Sequence, residues 1–290
     1  MTTTTAPASH ARPAGSRTAR RKPPRLRTVL LAGSAYVIAL IFLLPYLEMA
    51  ITALRPESEL QERNYLPNHF TFSAFSSIWS SGIGSSLGLS LEIAFGATAL
   101  VLLVAIPAAY YTARRKFRGR GLFLLLVLVT QMFQPTAMIV GIYREFLQFN
   151  MIDSVWALIL VNAGFNMAFA IWILNAYFSA IPKEIEEAAI VDGCSRIGAM
   201  FRVIIPLAMP GIVTALIFTF IAAWNEFIVA LTLTTTNTPL TVKISDYIGQ
   251  YSTDWPHLFA GSLIATVPVI ILFALIEGKV VSGLTAGSVK

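Results

Sequence analysis

The chain has 290 residues, of which 56% are hydrophobic and only 12% charged. Soluble domains carry about 25% charged residues, so a water-soluble globular domain is excluded. A net charge of +6 invites comparison with nucleic-acid binders, but the basic residues flank apolar stretches, where they set topology, and no nucleic-acid partner is expected. A membrane-crossing helix needs about 20 apolar residues, and the chain divides on that basis. Residues 1–27, rich in Thr, Ala, Pro and Arg, read as a disordered basic cytoplasmic tail. The first transmembrane helix follows at 28–54; its apolar run is much longer than a signal-peptide core of about 7–15 residues. Residues 55–85 form an extracytoplasmic segment. There Phe70, Phe72, Phe75, Ile78 and Trp79 suit a short interfacial helix or a packed cap on the bundle. Residues 86–277 hold five further helices, with apolar stretches at 86–112, 121–143, 154–181, 203–233 and 258–277. Gly84, Gly88 and Gly96 mark a small-residue stripe for close packing of the second span. Pro107, Pro135 and Pro268 mark kinks. Residues 278–290 form a cytoplasmic tail. The expected fold class is an all-α polytopic membrane protein with six transmembrane helices.

Of 21 Lys and Arg, only Arg55, Arg63, Arg144 and Lys243 fall on the face opposite the N-terminal tail. The remainder lie in the tail, in Arg114–Arg120, in the loop at 182–206 and at the C-terminus. Positive charge marks the cytoplasmic side, so both termini and the 182–206 loop are expected in the cytoplasm. The single Cys194 excludes an internal disulfide and a cysteine-cluster metal site.

The loop at 182–206 is the most informative segment. Pro182 suits a helix start, where its missing N–H is no loss. Glu184, Glu186 and Glu187 fall in the first turns, near the positive end of the helix dipole. Ala188 and Ala189 leave a small surface that another protein can approach closely. Gly193 supplies a left-handed stop, Ser195 an N-cap for a second short helix, and Pro206 with Pro210-Gly211 the next stop. Taken alone, these features also fit an ordinary amphipathic connector between two membrane helices.

Glu187-Ala188-Ala189, Gly193, Val203, Ile205 and Pro206 fit the spacing E-A-A-x3-G-x9-I-x-L-P, with Val203 for Ile and Ile205 for Leu. The pattern resembles the EAA loop of membrane subunits of binding-protein-dependent ABC importers. The stretches at 106–121, 131–143, 224–231 and 284–290 resemble carbohydrate importers of the maltose and glycerol-3-phosphate type, in particular the smaller six-span permease of the pair. The MFQP sequence departs from that pattern by one residue before Pro135. The resemblance implies the type I ABC importer transmembrane fold, with ATPase coupling through Glu187, Ala188, Ala189, Asp192, Gly193 and Pro206. It further implies a second permease as heterodimer partner, two copies of a cytoplasmic ABC ATPase, an extracytoplasmic binding protein or lipoprotein, and a carbohydrate substrate. In that family the external loop at 234–257 contacts the binding protein and can reach into its cleft; here Asp246, Tyr247, Tyr251, Asp254 and Trp255 fit a sugar or a protein face, and an ordinary solvated loop fits as well.

Polar side chains inside spans are costly and turn towards cavities or partner helices. Gln131, Gln134, Asn162, Asn166, Asn225 and Glu226 are therefore candidates for a substrate path, and Asn162 and Asn166 share a helix face. Phe165, Phe169 and Trp172 flank them, as stacking on sugar rings requires. The same residues fit interhelical hydrogen bonding equally well. No catalytic arrangement is present: His10, His69 and His257 have no metal-ligand spacing, and Gly278-Lys279 lacks a phosphate-binding loop. The chain is expected to bind no cofactor, with ATP and Mg on the partner ATPase. The reading is a permease subunit of an ATP-driven carbohydrate importer; a permease for amino acids or peptides, or a stand-alone channel or carrier, are the alternatives.

Overall fold

The computed structural model describes residues 26–59, 64 and 66–286. The N-terminal tail lies outside the described residues apart from its last two positions, as does the end of the C-terminal tail. The first helix, α1 (Leu26–Ala53), carries Pro45, and its side chains from Thr28 to Leu47 are exposed. Apart from Thr28 and Ser34, whose hydroxyl donates to Leu31 O, they are apolar or aromatic, as a lipid-facing helix requires.

Residues from Glu48 onward form a second unit. After a 3-10 turn at Glu57–Glu59, α2 (Ser73–Ser80) buries Ala74 and Ile78 and packs on the last helix, α13 (Trp255–Ala286). It packs on the bundle with one face and leaves Phe72 and Trp79 outside. Three helices make the centre: α3 (Ile83–Arg114), α6 (Val155–Ala180) and α10 (Met209–Trp224). Val101, Ala105 and Ala109 of α3, Ala163, Ala170, Leu174 and Phe178 of α6, and Ala215 of α10 are buried together. Small side chains let the backbones approach, which drives helix association where the hydrophobic effect is absent. Two glycines mark close approaches between helices. A Cβ on Gly96 would lie 2.7 Å from Ile159 Cδ1, and one on Gly211 would lie 2.4 Å from the Tyr177 ring. Gly88 faces open space instead, so the stripe at Gly84 and Gly88 is not the packing surface.

Four helices are long and apolar enough to cross a membrane, and two bent pairs bring the number to six when each pair is one span. The third span is α4 (Arg120–Thr130) followed by α5 (Pro135–Gln148), with a 91° bend between them. Proline cannot donate a backbone hydrogen bond and pushes the preceding residue out of the helical region. Gln134 is accordingly extended, at φ −79° and ψ 136°, and the expected kink becomes a break. The fifth span bends by 75° at Ala208, between Pro206 and Pro210, and breaks again at Asn225–Phe227 before α11 (Ile228–Leu233). Pro107 and Pro268, by contrast, sit inside continuous helices. The external loop carries α12 (Leu240–Ser245), whose Leu240 and Val242 are buried. Helix α13 runs to Ala286, well into the segment expected as a tail.

Candidate functional site

Two sites sit at different levels of the bundle. The first is the segment between α6 and α10. It contains α7 (Lys183–Val191), α8 (Arg196–Ala199), a π-turn at Met200–Ile204 and a final turn, α9 (Ile205–Leu207). Pro182 is the N-cap of α7, and Glu184 and Glu186 fall in its first turn. Gly193 has φ +89°. Its N–H donates to Ile190 O and the Cys194 N–H to Ala189 O, both at 3.0 Å. That pair of bonds is a Schellman stop, which only a residue at ease in the left-handed region closes without strain. The Ser195 hydroxyl accepts from the Gly198 N–H at 3.1 Å and caps α8. Pro206 cannot donate to Arg202 O, and the helix widens into the π-turn just before it, where Ile205 N–H reaches Met200 O.

Among the coupling candidates, Glu187, Ala188, Asp192, Gly193 and Pro206 are exposed, whereas Ala189 is turned inward. Val191 is 87%, Ile197 70% and Phe201 60% exposed. Val191 lies one helical turn from exposed Glu187 on α7, and Ile197 and Phe201 are likewise four residues apart, so the segment carries exposed apolar side chains of the kind found at protein-docking surfaces. Sequence reasoning missed the inward-facing group on α7. Glu186 points inward, with its Oε2 3.0 Å from Arg114 Nε and its Oε1 accepting from Tyr110 OH at 2.6 Å.

The second site is a cavity of about 280 Å³ lined by Gln131, Gln134, Asn162, Asn166, Glu226 and two aromatic rings, Phe133 and Phe165. Ligand pockets start at about 300 Å³, so this one is small but of the right order. Both broken spans reach it. Gln131 and Gln134 lie in the break of the third, and Glu226 in the second break of the fifth, where its carboxylate accepts from Val229 and Ala230 N–H at 2.7 and 2.9 Å. Irregular backbone at membrane depth persists where it lines a cavity. Gln131 donates to Phe165 O at 3.0 Å, and Asn166 to Asn162 O at 2.8 Å. Their remaining donor and acceptor capacity is left to the cavity. Asn225 is not brought in: it is exposed and donates to Ile221 O at 3.0 Å. An apolar cavity of about 450 Å³ adjoins, sharing Phe133, Val161 and Phe165.

Outside both sites, Asp153 at φ +63° clamps the loop after α11. Its carboxylate accepts from the N–H groups of Thr235, Thr236 and Asn237 and from the Thr236 hydroxyl. These bonds, led by the Thr236 hydroxyl, hold its pKa down at about 2. Of the external-loop candidates, Tyr251 and Trp255 are exposed, Asp246 lies near Lys243, and Tyr247 stacks on His257, which pairs with Asp254. Among the described residues no cluster suited to a metal ion occurs.

Residues 13–278 match the family described as binding-protein-dependent transport system inner membrane component. The chain is 33% identical over 262 residues to the sulfoquinovosyl glycerol transport system permease protein of Agrobacterium fabrum, covering 89% of this chain and 92% of that protein. It is 33% identical over 253 residues to the trehalose transport system permease protein of Mycobacterium tuberculosis, covering 86% and 92%. It is 31% identical over 262 residues to the diacetylchitobiose uptake system permease protein of Streptomyces coelicolor, covering 89% and 95%. Its fold is shared with a chain in the crystal structure of a bacterial ABC transporter involved in import of the acidic polysaccharide alginate. The TM-score is 0.74 at 22% identity, over 88% of this chain and 96% of that one. A second crystal structure of the alginate transporter, in complex with an alginate pentasaccharide-bound periplasmic protein, matches with TM-score 0.59 at 15% identity, over the same shares.

Proposed function

The chain belongs to the family of binding-protein-dependent transport system inner membrane components, and from that premise we propose that it is one permease of an ATP-driven importer of a carbohydrate. It works as a heterodimer with a second permease, on two copies of a cytoplasmic ATPase that bind the ATP and Mg, and receives its cargo from an extracytoplasmic binding protein. Both termini and the α7–α9 segment face the cytoplasm. The relatives named for sulfoquinovosyl glycerol, trehalose and diacetylchitobiose transport support the sugar class. The transporter complexed with a periplasmic protein supports the binding-protein partner.

The observation that carries the reading is the coupling segment. A stopped helix and a capped helix present Val191, Ile197 and Phe201 outward, ready to seat in a partner. The chain that hydrolyses ATP thereby moves a segment covalently joined to α6 and α10, whose side chains Asn162, Asn166 and Ala222 line the polar cavity. Amides and a carboxylate there offer the hydrogen bonds that sugar hydroxyls need, and Phe133 and Phe165 the faces on which sugar rings stack. Asn225 joins the path where the second permease completes its wall. Affinity purification of the tagged chain from native membranes tests the proposal. An ABC ATPase and a second permease are expected in the eluate; a chain recovered alone, still conducting or carrying sugar, would replace it with a stand-alone channel or carrier.

A further inference from the structure

We propose that Arg114 is a positioning residue that latches the coupling helix α7 to the end of α3, so that movement of α7 is delivered to the α3–α6 pair instead of being absorbed at the Ile181–Pro182 link. The inference rests on the importer reading above. Sequence places Arg114 in a run of loop charges, but it differs from its neighbours. Arg115, Lys116 and Arg118 are exposed, whereas the Arg114 side chain is only 6% and that of Glu186 only 14% exposed. A topological charge has no reason to be buried; a mechanical one does.

The guanidinium holds two different pieces of the chain. Nε forms the ion pair with Glu186, one turn into α7. Nη1 donates to Ile181 O at 2.8 Å, at the last residue before the N-cap of α7. Glu186 is held from its other oxygen by Tyr110, one helical turn back along α3. The Tyr110 ring in turn meets buried Phe178 of α6 edge-on at 6.0 Å. Just beyond, Asn175 of α6 donates to Thr112 of α3 at 2.7 Å. Removing one partner from a buried ion pair strands the other charge without water, so α7 cannot lift from α3 alone. Nε and Nη2 of Arg114 are both buried without an aligned hydrogen bond, so the Glu186 contact is an ion pair by proximity, and the guanidinium keeps donors with which it can follow Glu186 as α7 shifts.

The route then continues along a rigid rod. Asn166 lies fifteen residues before Ile181, on a continuous helix, or about 22 Å at 1.5 Å per residue. The latch thus places the polar cavity at one end of a lever and the coupling helix at the other. A lysine at 114 could keep one contact but not both, because only the guanidinium fork points in two directions.

The test uses the complete complex in proteoliposomes and reads sugar imported per ATP hydrolysed, with ATPase content of the purified complex as control. Arg114→Ala and Glu186→Gln are expected to lower that ratio about tenfold, the scale on which residues along a coupling route act, while the ATPase stays bound. Tyr110→Phe, which keeps the ring against Phe178, is expected to lower it less, and the exchange Arg114→Glu with Glu186→Arg to recover part of the loss. A wild-type ratio in assembled Arg114→Ala and Glu186→Gln overturns the latch. If those two do not assemble, Tyr110→Phe decides, and an unchanged ratio there overturns it. Wild-type complex without ATP-dependent uptake overturns the importer reading and the latch with it.

Discussion

Replacing Gly193 isolates the coupling segment from the rest of the protein. A Cβ there meets nothing within 4 Å, so no packing is disturbed and the whole cost is torsional. An L-residue held in the left-handed region costs about 1–2 kcal/mol, more when branched at Cβ. The two bonds at risk are Gly193 N–H to Ile190 O and Cys194 N–H to Ala189 O. A loss of that size shifts the local equilibrium between the stopped and the frayed helix by about five- to thirtyfold. Gly193→Val is therefore expected to leave spans and subunit content intact while sharply reducing the stimulation of ATP hydrolysis by loaded binding protein. Gly193→Asn, which tolerates the left-handed region, should fall between Val and wild type. Glu187→Lys reverses charge at the exposed face near the positive end of the helix dipole and should uncouple without disturbing the stop. Purified complexes would be compared for subunit stoichiometry and stimulated hydrolysis. Fully stimulated, fully assembled Gly193→Val would refute the assignment of this segment to coupling.

Three further outcomes follow from other contacts. Gly211→Ala drives a methyl into the Tyr177 ring and Cβ, an overpacking worth about 1–3 kcal/mol; thermal melting of the detergent-solubilised complex should fall accordingly, and an unchanged melt would show that α6 and α10 are not so close. Asn166→Leu removes a hydrogen-bonding group from the cavity and should lower uptake per assembled complex with assembly intact, whereas exposed Asn225→Leu should affect uptake only where the second permease closes over it; unchanged uptake in both would remove them from the path. The Asp153 clamp has its folded pKa lowered from 3.8 to about 2, so its contribution is complete above pH 4 and disappears as pH falls towards 2. Protection of the Thr235–Asn237 amides, taken as exchange relative to the intrinsic rate at each pH, should persist at neutral pH and be lost only in that acid window, and a loss centred near pH 6 would contradict the assignment.

Local chemistry was legible in the sequence; long-range contacts were not. The Gly193 stop and the Ser195 cap depend on residues within five positions of each other, and the order of residues along the loop located them. The six apolar stretches were legible because each is long. Hydropathy averages over a span, however, and cannot tell a kink from the 91° break at Pro135. Glu226 stood out as a charge in a span, but its part as the acceptor for the first N–H groups of α11 required knowing that α10 had already ended at Trp224. Arg114 was hidden for a related reason. Its ion-pair partner Glu186 is distant in sequence, and its neighbours Arg115, Lys116 and Arg118 are exposed charges from which sequence does not distinguish it. Gly88 illustrates the reverse error: of the stripe that spacing suggested, Gly96 meets Ile159 closely but Gly88 faces open space, and another tight approach fell on Gly211, where Tyr177 closes in.

The central claim is that this chain imports a carbohydrate only as part of an ATP-driven assembly. Reconstituting it with its second permease, its ATPase and its binding protein in proteoliposomes, and following a panel of radiolabelled sugars, tests that most directly. The account predicts accumulation of one sugar class against its gradient, dependent on internal ATP and external binding protein, and lost in Gly193→Val. Equal uptake without ATP or without binding protein would contradict it.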